Sequence, residues 1–515
     1  MNDLGNDLGD ELAARLHSRH RPQLEAARYI EALNLGGDID CFILIEPGMG
    51  YLIPALRERF PGSTVIALHA DNYFRLTQSQ YPEVPMWFPG SATSVQEFLE
   101  ETIPEAALAR LIEWRPSLRV YGDVCLSLVR EATEFIRRSA ASRRTSAVFG
   151  KRWVRNFFRN LALVNQTLLY RTMDMPVIIT GSGPSLDSAL PQIRAAREGV
   201  FVLAASSSLP ALMTGGIIPD MVITTDGGAW ALLHLHACFR SSNTLSRRHG
   251  GHKGHGEENK ILNSPCLREM NSDIKLAFAL SAALPSQCAG VSLLPMNDGS
   301  LWQSMALHGI GLPSVLVPQR GTVTASALDL ALVLSSGNIF LAGMDLAVRD
   351  IRSHARPYGF DHLFFGTASR LRPVYSQRFA RSDDMRAGGS HDVYAAWFKN
   401  KIASWPKRVF SLGGNHAAFE DNLPTAPLTM MAHNVADCFK IVTTNYSPED
   451  RCGRAVDTLI AALDNPQYAA ELTGELAPLL FPARCGVPPH GVPPHGVPPA
   501  EIAETLSLYG RSLHG

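Results

Sequence analysis

The chain lacks the cysteine spacing of a zinc knuckle or a CxxC redox pair. Its eight cysteines, at 41, 125, 238, 266, 288, 438, 452 and 485, are scattered, which points to a reducing compartment. It also lacks an excess charge of either sign: 47 Lys and Arg stand against 48 Asp and Glu. No global field therefore draws the protein to nucleic acid or lipid, and any anion must be held by a local site. No apolar run approaches the roughly 18 residues of a membrane span. The opening stretch MNDLGNDLGDELAARL is acidic and has no apolar segment behind basic residues, unlike a secretory signal. These absences together predict a cytoplasmic protein with no membrane span and no nucleic-acid partner.

What is present is length and alternation. A chain of 515 residues is too long for one core, so two or three domains are expected. Residues 1–95 read as an N-terminal Rossmann-like domain. In it, helical spacing over 10–34 leads into CFILIEPGMGYLIPALRERFPGSTVIALHAD (41–71), a strand, glycine turn, helix and strand ending at Asp71. Residues 96–175 read as a helical connector that includes the basic run FGKRWVRNFFRNLALVNQ. From 176 to 435 short strands alternate with helices: VIIT (177–180), FVLAAS (201–206), MVITTD (221–226), LAFALS (276–281), VSLLP (291–295), SVLVPQ (314–319) and IFLAGMD (339–345). Runs that are apolar on both faces and joined by helical crossovers predict a parallel sheet covered on both sides. A helical region is expected over 436–480, and a proline-rich linker and tail over 481–515, where GVPPHGVPPHGVPPA forms an extended spacer. The glycine-rich excursion RRHGGHKGHGEENK (247–260) interrupts the strands.

Ligands of a parallel sheet gather at the carboxyl ends of its strands. At such an edge TGSGPSLDSAL brings Gly181, Ser182, Gly183, Pro184 and Ser185 to the start of a helix, whose positive end favours a phosphate. The turn lacks the Gly-Lys-Ser/Thr ending of a Walker loop, and its glycines alone also suit an ordinary strand-to-helix turn. Asp226 ends another strand, where it can meet a ribose, a metal or an acceptor, whereas Asp220 starts that strand in a structural turn. Arg320, Gly321 and Thr322 precede a helix, with Asp329 on its early turns. Asp345 ends a further strand, followed by Arg349, Arg352, His354 and Arg356. Glu46, Gly48, Gly50 and Asp71 loosely fit an adenosylmethionine loop, but Tyr51 replaces its third glycine and a structural domain is the simpler reading.

In this order, GSGPSLD…LAASSSLPALMTGGIIPDMVITTD and GTVTASALDLALVLSSGNIFLAGMDLAV…SHA resemble the motility accessory factor (Maf) family and its 6-hydroxymethylpterin pyrophosphokinase-like relatives. LHSRHRPQLEAARYI and GKRWVRNFFRNL are similar too, and the likeness runs over roughly residues 15–435. It implies an α/β, sialyltransferase-like central domain and a glycosyltransferase. That enzyme moves a pseudaminic- or legionaminic-type nonulosonic acid from a CMP-sugar to Ser or Thr of flagellin. On that resemblance Gly181, Ser182, Gly183, Pro184 and Ser185 cradle the CMP phosphate; Ser206, Arg320, Gly321, Thr322, Asp345 and Arg349, at or after neighbouring strand ends, are the further donor-binding candidates. Ser182 stands where sialyltransferases carry asparagine.

His354 is the expected base, since a histidine titrates near neutral pH, with Asp226 competing. Arg320 and Arg349 suit the sugar carboxylate. No cofactor is expected to be tightly bound; the CMP-sugar is a co-substrate and Mg is possible without being required. The alternatives are an ATP- and Mg-dependent pyrophosphokinase using Asp226 and Asp345 as metal ligands, and a degenerate motility-linked binding factor.

Overall fold

The computed structural model describes residues 15–36, 39–103, 107–239, 275–349, 353–371, 373, 385–386, 394–395, 398, 402, 405–412, 423–428, 435–482 and 497–511. The excursion at 247–260, the repeats at 486–496 and Arg352 lie outside these residues. The chain divides into two compact units, 1–150 with 473–502, and 151–472 with 503–515. The first boundary falls inside one 41-residue helix, α3 (Asp123–Leu163), and not at 95 or 175 as expected; a continuous helix carries no break in composition to mark it.

The first unit holds β1 (Cys41–Ile45), β2 (Thr64–Leu68), β3 (Met86–Trp87) and β4 (Ala109–Glu113), parallel and in the order β3-β2-β1-β4. Helices α1 (Pro22–Ala32) and α2 (Leu52–Arg59) bury Ala26, Ile30, Leu52, Ile53 and Leu56 in its core. The strand–helix–strand reading of 41–71 matches β1, α2 and β2. β4 lies in the stretch expected to be helical, because exposed Arg110 and Glu113 leave no continuous apolar run.

The second unit is built on β5 (Gln166–Tyr170), β6 (Val177–Thr180), β7 (Phe201–Ala205), β8 (Met221–Thr224), β9 (Lys275–Ala279), β10 (Ser292–Asn297), β11 (Val315–Leu316) and β12 (Ile339–Ala342). A hairpin pairs β13 (Val348–Arg349) with β14 (Met385–Arg386), and β15 (Val409–Ser411) and β16 (Phe439–Thr443) complete the main sheet. Its order is β15-β12-β6-β7-β8-β9-β10-β5-β16, parallel except for β16, with β11 beside β10. β5 and β16 are further strands in stretches expected to be helical. They carry polar residues and are partly exposed, as suits the antiparallel margin they form.

Along β6, Val177 and Ile179 face one core with α6 (Val323–Leu334), while Ile178 faces the other with α4 (Leu186–Ala195). This double burial explains the unbroken apolar runs. Residues expected to belong to the tail instead form a helix at Pro499–Arg511, where Ile502 and Leu506 are buried one helical turn apart.

Arg451, on α7 (Pro448–Leu463), is 2% exposed. It donates to the carbonyls of Leu161, Ala162 and Tyr446 and to Thr444 and Asn165. A buried cation here satisfies the last carbonyls of α3 and complements its negative end.

Candidate functional site

From β6 the chain steps outward through β7, β8, β9 and β10, whereas β12 leads the other way to β15. The switch point of the sheet is therefore the crevice between β6 and β12, where parallel α/β sheets hold their ligands. The turn at 181–185 and the turn at 343–345 meet there.

They meet backbone to backbone. Gly181 N–H donates to Ala342 O at 2.8 Å, Gly183 N–H to Gly343 O at 2.7 Å, and Ser185 N–H to Asp345 Oδ2 at 2.8 Å. A Cβ on Gly181 would lie 2.4 Å from Gly343 O, and one on Gly183 would lie 2.1 Å from Asp345 Oδ2. The glycines are thus required by the close approach of two loops, and three of the turn's N–H groups are engaged within the chain. Asp345 is fully buried against the start of α4, so it acts as an anchor of the turn.

The polar groups that line the turn are hydroxyls. Ser207 Oγ donates to Ser182 Oγ at 3.0 Å, and both side chains are partly exposed. Ser185 is 3% exposed and its Oγ has no partner among the described residues. Ser206 and Ser208 are buried in the 3₁₀ turn after β7, with Ser208 bonded to Thr180 and Ala205. Within the run SSS, Ser207 is the residue that reaches the turn, and sequence reasoning missed it. The run itself, at a strand's carboxyl end, was the available signal.

Ala355 N–H donates to Ser182 O at 2.8 Å, which sets His354 over the same turn. His354 Nδ1 meets Ser353 Oγ at 2.8 Å, and its ring stacks on Tyr358 with centroids 3.8 Å apart. Tyr358 in turn touches His234, 5.0 Å away, on α5 (Leu232–Phe239), the helix that follows the Asp226 loop. A continuous set of rings therefore links the β12 loop to α5, the helix after the β8 loop. Asp226 is exposed, with Oδ1 held by Gly228 N–H at 2.7 Å. Over β8 it stands two strand steps from β6, roughly 10 Å across the serines of β7.

The remaining candidates fall around this centre. Arg320 Nε donates to Asp329 Oδ2 at 2.7 Å, and Thr322 caps α6 by accepting Ala325 N–H. Gly321 supplies the turn's positive φ of 76°. Their loop joins the β9 edge, where Gln319 donates to Ser281 Oγ. Arg349 lies in β13, and its side chain is outside the described set. Asp220 has the expected structural role, accepting Val202 N–H at 2.7 Å and pairing with Arg197 at 2.8 Å. Cys41, Cys125, Cys288, Cys438 and Cys452 are free and buried, and burial pushes Cys125 and Cys288 up to about 12.

The backbone of the glycine turn in the first unit is held by its own neighbours, while His17 Nδ1 and His69 Nε2 are buried beside it with no hydrogen-bond partner among the described residues. Glu46, wholly buried at a positive φ of 41°, accepts from Gly48 N–H and Ala70 N–H and meets His69 Nδ1 at 3.1 Å. His17 Nε2 accepts Met49 N–H, and its ring stacks on Trp114. Burial pushes His17 and, in the second unit, His234 down from 6.5 to about 4. Each binds its proton less well folded than unfolded, so the stability it supports is complete above about pH 6.5 and is lost as pH falls towards 4. At about 1.36 kcal/mol per pK unit, each costs roughly 3 kcal/mol once protonated. Thermal denaturation between pH 7 and 4 should show Tm falling, and His17→Gln should flatten the acid limb.

Residues 151–253 match the family described as 6-hydroxymethylpterin diphosphokinase MptE-like. An uncharacterized protein of Treponema pallidum (strain Nichols) is 27% identical over 332 residues, 64% of this chain and 65% of its own. A second uncharacterized Treponema pallidum (strain Nichols) protein is 35% identical over 81 residues, 15% of this chain and 39% of its own. The chain thus spans less than two thirds of either relative. The Maf glycosyltransferase from Magnetospirillum magneticum AMB-1 shares the fold, with a TM-score of 0.50 over 92% of this chain and 73% of that one, at 14% identity. Among the described residues no helix is long and apolar enough to cross a membrane.

Proposed function

We propose that the second unit is a glycosyltransferase that moves a nonulosonic acid of the pseudaminic or legionaminic type from its CMP-activated form to Ser or Thr hydroxyls of flagellin in the cytoplasm, for flagellar assembly and motility. The observation that carries this reading is the meeting, at one switch point, of the 181–185 turn, the Ser182–Ser207 pair and the His354 loop, with Asp226 on the same sheet edge two strands along. The fold shared with the Maf glycosyltransferase supports it.

In this reading the CMP phosphate sits over the turn. It is met by the hydroxyls of Ser182, Ser185 and Ser207 and by the positive end of α4, with His354 alongside. Asp226 is the base: it is exposed on a fixed turn, whereas His354 is stacked on Tyr358 and bonded to Ser353. The acceptor oxygen forms its bond to the anomeric carbon as the bond to the phosphate oxygen breaks. The acceptor proton passes to Asp226, and the electron pair leaves with CMP.

The family match favours a second reading, diphosphokinase chemistry with ATP and Mg. For that, Asp226 and Asp345 do not fit a shared ion. Asp345 is buried on Ser185 N–H, and three strand steps, roughly 14 Å, separate β12 from β8. Calorimetric titration with CMP, a CMP-nonulosonate and ATP, each with and without Mg, tests both. Saturable binding of the cytidine ligands is expected. Mg-dependent binding of ATP alone would replace the transferase by the kinase, and donor binding with no transfer to flagellin would leave a binding factor.

A further inference from the structure

The basic helix segment that contains WVRNFFRN has no part in the site described so far, yet it carries two buried amides that reach the carboxyl edge of the sheet. Asn156 and Asn160 lie four residues apart on α3, so they share one face of the helix. They are 7% and 1% exposed. Asn156 Nδ2 donates to Gly227 O at 3.1 Å and Ser281 O at 3.0 Å; Asn160 Nδ2 donates to Leu280 O and Ala282 O, both at 2.8 Å. Both hydrogens of each amide are thereby used on four carbonyls that lie just past the ends of β8 and β9. A buried carbonyl needs a donor, and one NH₂ group is the smallest side-chain unit that supplies two.

The four carbonyls belong to the loops that hold Asp226. Its own carbonyl accepts Ala283 N–H at 2.9 Å, tying the β8 loop to the β9 loop. The next residue, Gly227, is pressed on Trp153: an added Cβ would lie 2.6 Å from Trp153 Cδ1 and 2.9 Å from Ser281 O. One helix face, Trp153–Asn156–Asn160, thus fixes both loops at once.

We propose that Asn156 and Asn160 are positioning residues that hold Asp226 at the height and angle needed to meet the acceptor. The proposal rests on the transferase reading, in which Asp226 is the base. The amides touch neither donor nor acceptor; they act through the backbone of 227 and 280–282. An i, i+4 asparagine pair among the buried apolar residues of this helix (Val154, Phe157, Phe158 and Leu161) is the sequence mark of this device.

The test compares full-length wild type with Asn156→Asp, Asn156→Ala, Asn160→Ala and Asn156→Gln. The alanine variants leave room for water and guard against loss of folding. Transfer kinetics, CMP affinity and hydrogen exchange of the peptides covering 225–231 and 280–284 are measured on each. The expected result is a kcat lower by about 10- to 100-fold, as for a small misplacement of a reacting group. Exchange should be faster in both loops, and the pH profile of kcat/KM altered. CMP affinity should stay near wild type, because the 181–185 turn lies on β6, away from both amides. Asn156→Gln, which keeps the donors, should recover part of the rate.

Folded variants that keep full kcat, or unchanged exchange in both loops, overturn the positioning role and leave the transferase standing. Loss of CMP affinity in step with kcat also overturns it, as a general loosening would do that. Wild-type protein that neither binds CMP nor transfers sinks the transferase reading itself, and the role of Asp226 with it.

Discussion

Gly183→Val should abolish saturable CMP binding and lower thermal stability in the same sample. The first added atom would stand 2.1 Å from Asp345 Oδ2 and 2.7 Å from Gly343 O. One of those neighbours is backbone and the other is a fully buried carboxylate held by Ser185 N–H, so neither yields cheaply. Overpacking of this kind costs about 1–3 kcal/mol. The loops must part, moving Ser182 and Ser185 from their places. Hydrogen bonds to a charged group are worth about 1.5–3 kcal/mol each, so losing two lowers affinity by about 100-fold or more. Calorimetry and a melting curve on one preparation check both effects. A folded Gly183→Val protein that binds CMP as wild type does would remove the donor from this turn.

Asp226→Asn should leave folding and CMP affinity close to wild type and cut transfer by about 10²–10⁴-fold, the usual contribution of a general base. The side chain is exposed, and the asparagine carbonyl can still accept Gly228 N–H, so the loop keeps its shape. Surface changes of this kind lie within about 0.5 kcal/mol in stability. The rate deficit should narrow as pH rises, because the acceptor hydroxyl then needs less help. Full transfer by Asp226→Asn would return the base to His354, in the loop that covers the 181–185 turn. The two variants separate the functions of the site: one loses donor binding and the other loses only the chemical step.

Apolar runs such as VIIT and FVLAA are legible as strands from their residues alone. They form β6 and β7 with both faces covered, since a strand buried on both sides has no polar face to show. Strands at the sheet's margin are not legible in this way: QTLLY and FKIVT are partly exposed and mix polar with apolar residues, so their pattern does not separate them from helix ends. The choice among Ser206, Ser207 and Ser208 is equally hidden. It depends on the 3₁₀ turn that sends Ser207 to Ser182 and Ser208 back to Thr180. Arg320 reads as available to a carboxylate ligand, but Asp329, nine residues further along, meets its guanidinium across the first turns of α6.

By itself, then, the amino-acid sequence determined the residue types at each strand end and the parallel class of the sheet, because turn chemistry and apolar periodicity are local. The tertiary structure alone decided what those residues do. Gly183 and Ser185 are bound to Gly343 and Asp345, some 160 residues away in the chain. Asn156 and Asn160 find their carbonyl partners across 71 to 125 residues. A hydrogen bond forms wherever folding brings donor and acceptor together, and no local pattern encodes a partner that distant.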